Sequence, residues 1–208
     1  MTPRSPLSRV EFIALLAMLF ATVAFSIDSM LPALPQIALE LSPENANRAQ
    51  LVLTSFVLGM GVGTFFTGPI SDRFGRKPVI LAGAGLYILG ALLCYVAQGL
   101  ELVLAARVVQ GLGAAAPRVV GLAIVRDLYA GRGMARIMSF AMMVFTLVPA
   151  VAPLLGSWII ELSGWRSIFL TFVLFALFSA GWLGWRQPES LPRDARRPLH
   201  LQTLWKAV

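Results

Sequence analysis

The sequence predicts an all-α membrane protein built from six transmembrane helices. Three observations carry that reading: the chain is too apolar for a soluble domain, its apolar residues fall into six runs of spanning length, and its basic residues collect on one side of those runs. Of 208 residues, 58% are hydrophobic and 13% charged. A soluble domain is nearer half apolar and about a quarter charged. Lipid contact removes the need to hide the excess.

A helix crossing about 30 Å of hydrocarbon needs about 20 mostly apolar residues. The first run, residues 12–34, follows Arg4 and Arg9, as a secretory signal would. It is longer than a signal-peptide core and five more runs follow, so it reads as a retained helix. The others are residues 49–70, 78–98, 100–125, 137–160 and 165–185. Helices are required because no backbone group facing lipid can go unpaired. The break between the third and fourth runs, at Gln98 and Gly99, is tight, which predicts an antiparallel hairpin.

Basic residues set the orientation. One side carries Arg4, Arg9, Arg73, Arg76, Lys77, Arg126, Arg132, Arg136, Arg186, Arg193, Arg196, Arg197 and Lys206; the other carries Arg48 and Arg166. The rich side is expected to be cytoplasmic, with both termini inside. This asymmetry accounts for the net charge of +7, so no nucleic-acid partner is called for. Cys94 is single and cannot form an internal disulfide. His200, the one histidine, lies near the C-terminus. A histidine metal cluster or a Ser/His dyad within the membrane is excluded, and no cofactor is expected.

Ionisable groups at bilayer depth cost about 2.5–3.5 kcal/mol or more. Asp28 lies three to six residues from the outer end of the first span, roughly 5–9 Å deep at 1.5 Å per residue. Arg107 enters the fourth span from the same side to roughly 10 Å. The matching depths make a carboxylate–guanidinium pair plausible. Desolvation and a nearby cation pull a carboxyl's proton affinity in opposite directions. Such a pair could act as a proton switch, or as a static link between two helices.

Ala14, Ala17, Ala21, Ala24 and Asp28 share one face of the first helix, as do Arg107, Gln110, Gly111, Ala114 and Arg118 on the fourth. These faces are expected to line a cavity, with close packing as the alternative reading of the alanines. Gly59 and Gly63 are expected to serve helix packing. The third and sixth spans have no internal charge and are expected to face lipid.

The most informative stretch is residues 68–78, Gly-Pro-Ile-Ser-Asp-Arg-Phe-Gly-Arg-Lys-Pro. Gly75 can supply a positive φ for a tight reversal, and Pro78 can open the next helix. Asp72 falls at a helix C-terminus, a poor place for an anion, and so needs a cation or another helix's N-terminus. Asp127, at the end of the fourth span, is similarly placed to meet Arg76.

Residues 68–81 resemble motif A of the major facilitator superfamily, with Gly68, Asp72, Arg73, Gly75, Arg76 and Lys77 at its defining positions. Residues 104–113, with Arg107, Gln110 and Gly111, resemble its motif B. Asp28 and Pro32 are similar to the signature ending helix one of drug:proton antiporters. Residues 149–156, with Pro149, Pro153 and Gly156, resemble the antiporter motif of helix five, in the form of the Bcr/CflA drug-resistance branch. Ser157 departs from that motif, where a second glycine is common. Residues 188–191, Pro-Glu-Ser-Leu, resemble the short motif after helix six.

The resemblance implies that residues 1–187 form the N-terminal six-helix bundle of a twelve-helix facilitator, with a cytoplasmic central linker starting at residues 188–208. It implies proton-coupled efflux of drugs or toxic small molecules across the inner membrane, with substrate bound between two bundles. Asp28 and Arg107 would couple protons. Asp72, Arg76 and Asp127 would latch the cytoplasmic side. The helix-five prolines would bend that helix and limit leakage. The partners implied are a drug-like substrate, protons, the lipid bilayer and a second six-helix bundle, in the missing C-terminal half or a partner chain.

The chain ends as residues 199–208 begin to read as an amphipathic helix, which favours a fragment over a natural half or a dimer. The isolated chain is expected not to transport. A sugar or metabolite importer is the nearest alternative; motif A does not separate the two, whereas the proline motif and Asp28 favour export. A rhomboid-like intramembrane protease would need a histidine inside a helix. A non-transporting fragment remains the third reading.

Overall fold

The computed structural model describes residues 7–196, and every regular element among them is helical. Arg4, Arg197, Pro198, His200, Lys206 and the amphipathic segment expected at 199–208 lie outside the described residues. Six helices are long and apolar enough to span a membrane. The first span is interrupted: α1 (Arg9–Asp28) passes through a 3-10 turn (Leu31–Ala33) into the short α2 (Leu34–Leu41). The turn carries Pro32, and Pro35 lies in the first turn of α2, so two backbone donors are missing just beyond Asp28. The remaining spans are α3 (Leu51–Phe74), α4 (Arg76–Val96), α5 (Leu100–Leu128), α6 (Gly131–Ser163) and α7 (Ser167–Arg186).

The helices outrun the apolar runs at several ends. The fifth run begins at residue 137, yet α6 begins at Gly131. Hydropathy marks the stretch suited to lipid, whereas backbone hydrogen bonding continues through the arginine-rich turn that precedes it. The expected hairpin forms: α4 and α5 are joined by Ala97–Gly99 and pack along their lengths.

Helix α5 is the mast of the bundle, packed on α3 and α4 and touching α1. Helix α1 packs on α6, and α4 on α7. Burial is highest in α1 and α5 and lowest in α3 and α6. The cavity-facing role expected for the first and fourth spans is therefore corrected for most of their polar face. Ala17, Ala21, Ala24, Gln110, Gly111 and Ala114 are buried in packed seams, while Ala14 is exposed. Helices α4 and α7 do turn leucine- and phenylalanine-rich faces outward, among them Leu89, Leu92, Leu174 and Phe178.

The α3–α5 seam explains the buried glycines. A Cβ on Gly59 would sit 2.1 Å from the Val108 carbonyl oxygen, and one on Gly111 would sit 2.1 Å from that of Phe56. Gly63 stands in the same relation to Leu112, at 2.8 Å. The backbones touch, so only a missing side chain lets the helices close to this distance. Gly111→Val would force them apart. We expect it to cost about 2 kcal/mol or more and to lower the thermal midpoint in detergent. Gly61→Val, on an open face, should leave that midpoint within a degree or so of the unaltered chain's.

Candidate functional site: a buried arginine and a charged turn

The centre of the bundle is organised by Arg107, which is completely buried. Its Nε donates to the Val52 carbonyl at 3.1 Å, one terminal nitrogen to Gln110 Oε1 at 2.8 Å, and the other to the Ser26 carbonyl at 3.1 Å. The guanidinium also lies over the Phe56 ring, 4.3 Å from its centroid. Its acceptors thus come from α1, α3 and its own helix. The Ser26 carbonyl is free because α1 ends two residues later, leaving its last carbonyls without intrahelical donors. The same end of the helix carries partial negative charge, which favours a cation there. Ser26 is fixed in turn: its hydroxyl donates to the Thr22 carbonyl at 2.6 Å and lies 2.5 Å from the Tyr87 hydroxyl of α4.

Asp28 is close by in the chain but does not pair with Arg107. No hydrogen bond or ion pair reaches its half-buried carboxylate among the described residues. The ion pair anticipated from matching depths is therefore replaced by a carbonyl contact two residues earlier. Asp28 is the last residue of α1, at the break before the proline turn. On its far side Gly156 of α6 presses against the backbone. A Cβ there would stand 2.2 Å from the Ser29 carbonyl oxygen. The residue that follows Asp28 is thus held by the antiporter-type motif of α6, and the residue two before it by Arg107. Ser157, the departure from that motif, returns its hydroxyl to the Pro153 carbonyl at 3.0 Å. Helix α6 continues unbroken through Pro149 and Pro153.

At the arginine-rich end, the turn between α3 and α4 is tied to α5 and to residues 189–190. Arg76 is buried and donates to Asp72 Oδ1 at 2.5 Å, to Asp127 Oδ2 at 3.0 Å and to the Ser71 hydroxyl at 2.6 Å. Asp72, Arg76 and Asp127 therefore come together as the sequence suggests. Gly75 has φ of 105°, and a Cβ on it would meet Glu189 Oε2 at 2.5 Å. The positive φ demands glycine, and a side chain there would also displace the Glu189 carboxylate. Gly68 borders the same turn but has open space beside it. Arg73 is exposed beside the Phe74 ring, 5.3 Å from its centroid. The Lys77 backbone takes part in the capping described next.

Sequence reasoning attached no contact to Glu189 and Ser190. The Glu189 carboxylate accepts from the backbone N–H groups of Arg76, at 2.9 Å, and Lys77, at 3.2 Å. It supplies the cap that the first turn of α4 lacks. Ser190 donates to Asp127 at 3.0 Å. The Pro-Glu-Ser-Leu run after the sixth span was the available signal, although a capping partner 113 residues away leaves no spacing rule.

Between α3 and α5, on the arginine-rich side, lies a cleft of about 490 Å³ bordered by Thr64, Asp72, Arg118, Leu122, Ala123 and Arg126. Of the residues expected to line a cavity, Arg118 does so. No three His, Cys, Asp or Glu side chains converge among the described residues to hold a metal.

The described residues form a bundle of six membrane-length helices whose first span breaks just beyond Asp28 and whose centre holds the buried Arg107. The Major Facilitator Superfamily model matches residues 13–208, and the chain belongs to that family of multi-pass membrane transporters. It is 38% identical over 198 residues to the bicyclomycin resistance protein homolog of Haemophilus influenzae, covering 93% of this chain and 48% of that protein. It is 38% identical over 153 residues to the multidrug resistance protein MdtL of Escherichia coli, covering 73% and 38%. Among solved structures, the xylose transporter XylE of E. coli, in a partially occluded inward-open conformation, superposes with a TM-score of 0.77 at 15% identity over 88% of this chain and 50% of that one. The human organic anion transporter MFSD10 gives 0.69 at 21%, over 94% and 52%. The chain spans about half the length of the relatives it matches.

The capping contact can be tested directly. Glu189→Ala removes the acceptor for two first-turn amides and should cost about 1 kcal/mol. Glu189→Gln keeps one acceptor oxygen and should cost less. Hydrogen exchange at the Arg76 and Lys77 amides should quicken in the same order. Unchanged exchange in Glu189→Ala would show that the carboxylate does not cap α4.

Proposed function

We propose that this chain is one bundle of a proton-coupled exporter of drug-like small molecules. The observation that carries the reading is the unpaired Asp28 carboxylate at the break in the first span. Its two flanks are held by Arg107 through the Ser26 carbonyl and by Gly156 at the Ser29 carbonyl. A carboxylate bound in an ion pair must give up its partner each time it gains a proton. One without a partner, at the end of a helix, exchanges its proton while the guanidinium keeps its contacts. The pair thus divides the work: Asp28 carries the proton, and Arg107 positions the helix end that presents it.

In this reading residues 1–187 are the bundle, and residues 188–208 begin a linker to a second six-helix bundle. Cargo binds between the bundles, which rock to expose either side. Asp72, Arg76 and Asp127, with Glu189 and Ser190, lock the turn that must move when the arginine-rich side opens. In this reading that side is cytoplasmic, the membrane is the inner membrane and the termini are inside; the distribution of Arg and Lys supports the orientation. Relatives named for bicyclomycin and multidrug resistance support export of drug-like cargo over sugar uptake.

The test is Asp28→Asn in a protein carrying both bundles. Asparagine keeps the size and removes the titration. Protonophore-sensitive export should fall by at least about tenfold, equivalent to about 1.4 kcal/mol, with cargo binding retained. Export at the unaltered rate would overturn the assignment. The chain alone, reconstituted in vesicles, should not transport.

A further inference from the structure

Arg118 stands out among the arginines that lie within the spans rather than at their ends. It is ten residues from the end of α5 at Leu128, roughly 15 Å along the helix axis, so it lies at bilayer depth. A charge there is costly unless it is paired or faces water. Arg107 is satisfied by carbonyls, and Arg76 by two aspartates. Arg48 pairs with Glu101, Arg166 with Glu40 and Arg186 with Glu11. Arg118 has no hydrogen bond or ion pair among the described residues and is exposed.

Arg118 does not point at random. It borders the cleft of about 490 Å³ between α3 and α5, beside Thr64, Leu122 and Ala123, with Arg126 two turns further along. The acids of that cleft are already engaged: Asp72 and Asp127 both serve Arg76, and Asp127 also accepts from Ser190. The lining therefore carries three arginines against two aspartates, a net charge of +1, with Arg118 and Arg126 standing outside the Arg76 cluster beside an apolar wall. The volume falls in the range of small-molecule sites, roughly 300–1,000 Å³.

We propose that this cleft selects cargo by negative charge, with Arg118 as the specificity-determining residue for amphipathic organic anions. The ligand class is a carboxylate, sulfonate or phenolate carried on an apolar ring system. A guanidinium gives such a group two parallel donors, while Leu122, Val119 and Ala123 receive the ring. The proposal deepens the export reading by naming a class of cargo and rests on that reading for its physiological meaning, though the binding itself does not.

The test reads the cleft locally. Ala123→Cys places a thiol on its wall, and native Cys94 is buried. In phospholipid nanodiscs, modification by a sulfonatoethyl thiosulfonate is compared with that by its trimethylammonioethyl counterpart, each relative to a free thiol. The anionic reagent should be favoured, and Arg118→Gln should lower its advantage on the order of tenfold. 1-Anilinonaphthalene-8-sulfonate should protect the thiol; the uncharged N-phenyl-1-naphthylamine should not. Protection should survive Arg118→Lys, disappear in Arg118→Gln and weaken in 1 M salt.

Equal protection by both naphthalenes, or protection that persists in Arg118→Gln, overturns the proposal. So does a reagent ratio equal to that of a free thiol, the result expected if Arg118 instead meets an acid of the second bundle. Should Arg118→Gln fail to fold, the salt dependence and the two-probe comparison on the unaltered cleft decide the matter. Anion binding in a protein whose two-bundle form does not export would sink the export reading alone. Export without anion selectivity would sink this one alone.

Discussion

The bundle depends on an arginine buried without an acid. Arg107 has no exposed surface, and its contacts are two backbone carbonyls, one amide oxygen and an aromatic ring. Desolvating a guanidinium costs several kcal/mol, and dipoles must replace the lost water. They are here because α1 stops at Asp28, which frees the Ser26 carbonyl and points the negative end of a helix at the cation. The interruption that weakens the first span as a helix is therefore the feature that makes Arg107 tenable. A continuous α1 would consume that carbonyl and leave the guanidinium short of an acceptor.

From that point the rest of the packing follows. Arg107 draws α1 and α3 onto α5, and the glycines of the α3–α5 seam let two backbones meet where side chains would hold them apart. The arginine-rich end uses another chemistry for the same purpose. There Arg76 is buried but its aspartates are partly reached by water, so carboxylates from α3 and α5 can serve it at lower desolvation cost, and Glu189 reaches in from beyond α7 to finish the first turn of α4. Carbonyls hold the dry centre and carboxylates the wetter end. The division leaves Asp28 as an acid that no structural contact claims.

Much of this was legible in the sequence. Spanning runs, the short α4–α5 hairpin and the Arg76–Asp127 contact follow from hydropathy, loop length and charge at helix ends, while the place of Asp72 in that cluster comes from the resemblance to motif A. The partner of Arg107 was not legible, because a carbonyl released by a helix end carries no residue-type signal. Depth pointed to Asp28, two residues beyond the oxygen that takes the bond. Glu189 was hidden for a related reason: a cap drawn from a distant loop obeys no fixed spacing. The exposure of α3 and α6 was missed because charge content separates polar spans from apolar ones but does not say which polar groups are consumed inside the bundle.

The two arginines of α5 show the limit of helical periodicity most clearly. Arg107 and Arg118 are eleven residues apart, about three turns, and so lie on nearly the same stripe of the helix. One is sealed and the other is open. The difference is in the neighbours. Near Arg107 the end of α1 and the start of α3 close over the stripe, and the Phe56 ring covers the guanidinium. Near Arg118 the walls part into the cleft, and the nearest acids are committed to Arg76. A single helix face thus carries a cation whose charge is spent on holding the fold and another whose charge is unspent. Only the second can answer to a ligand.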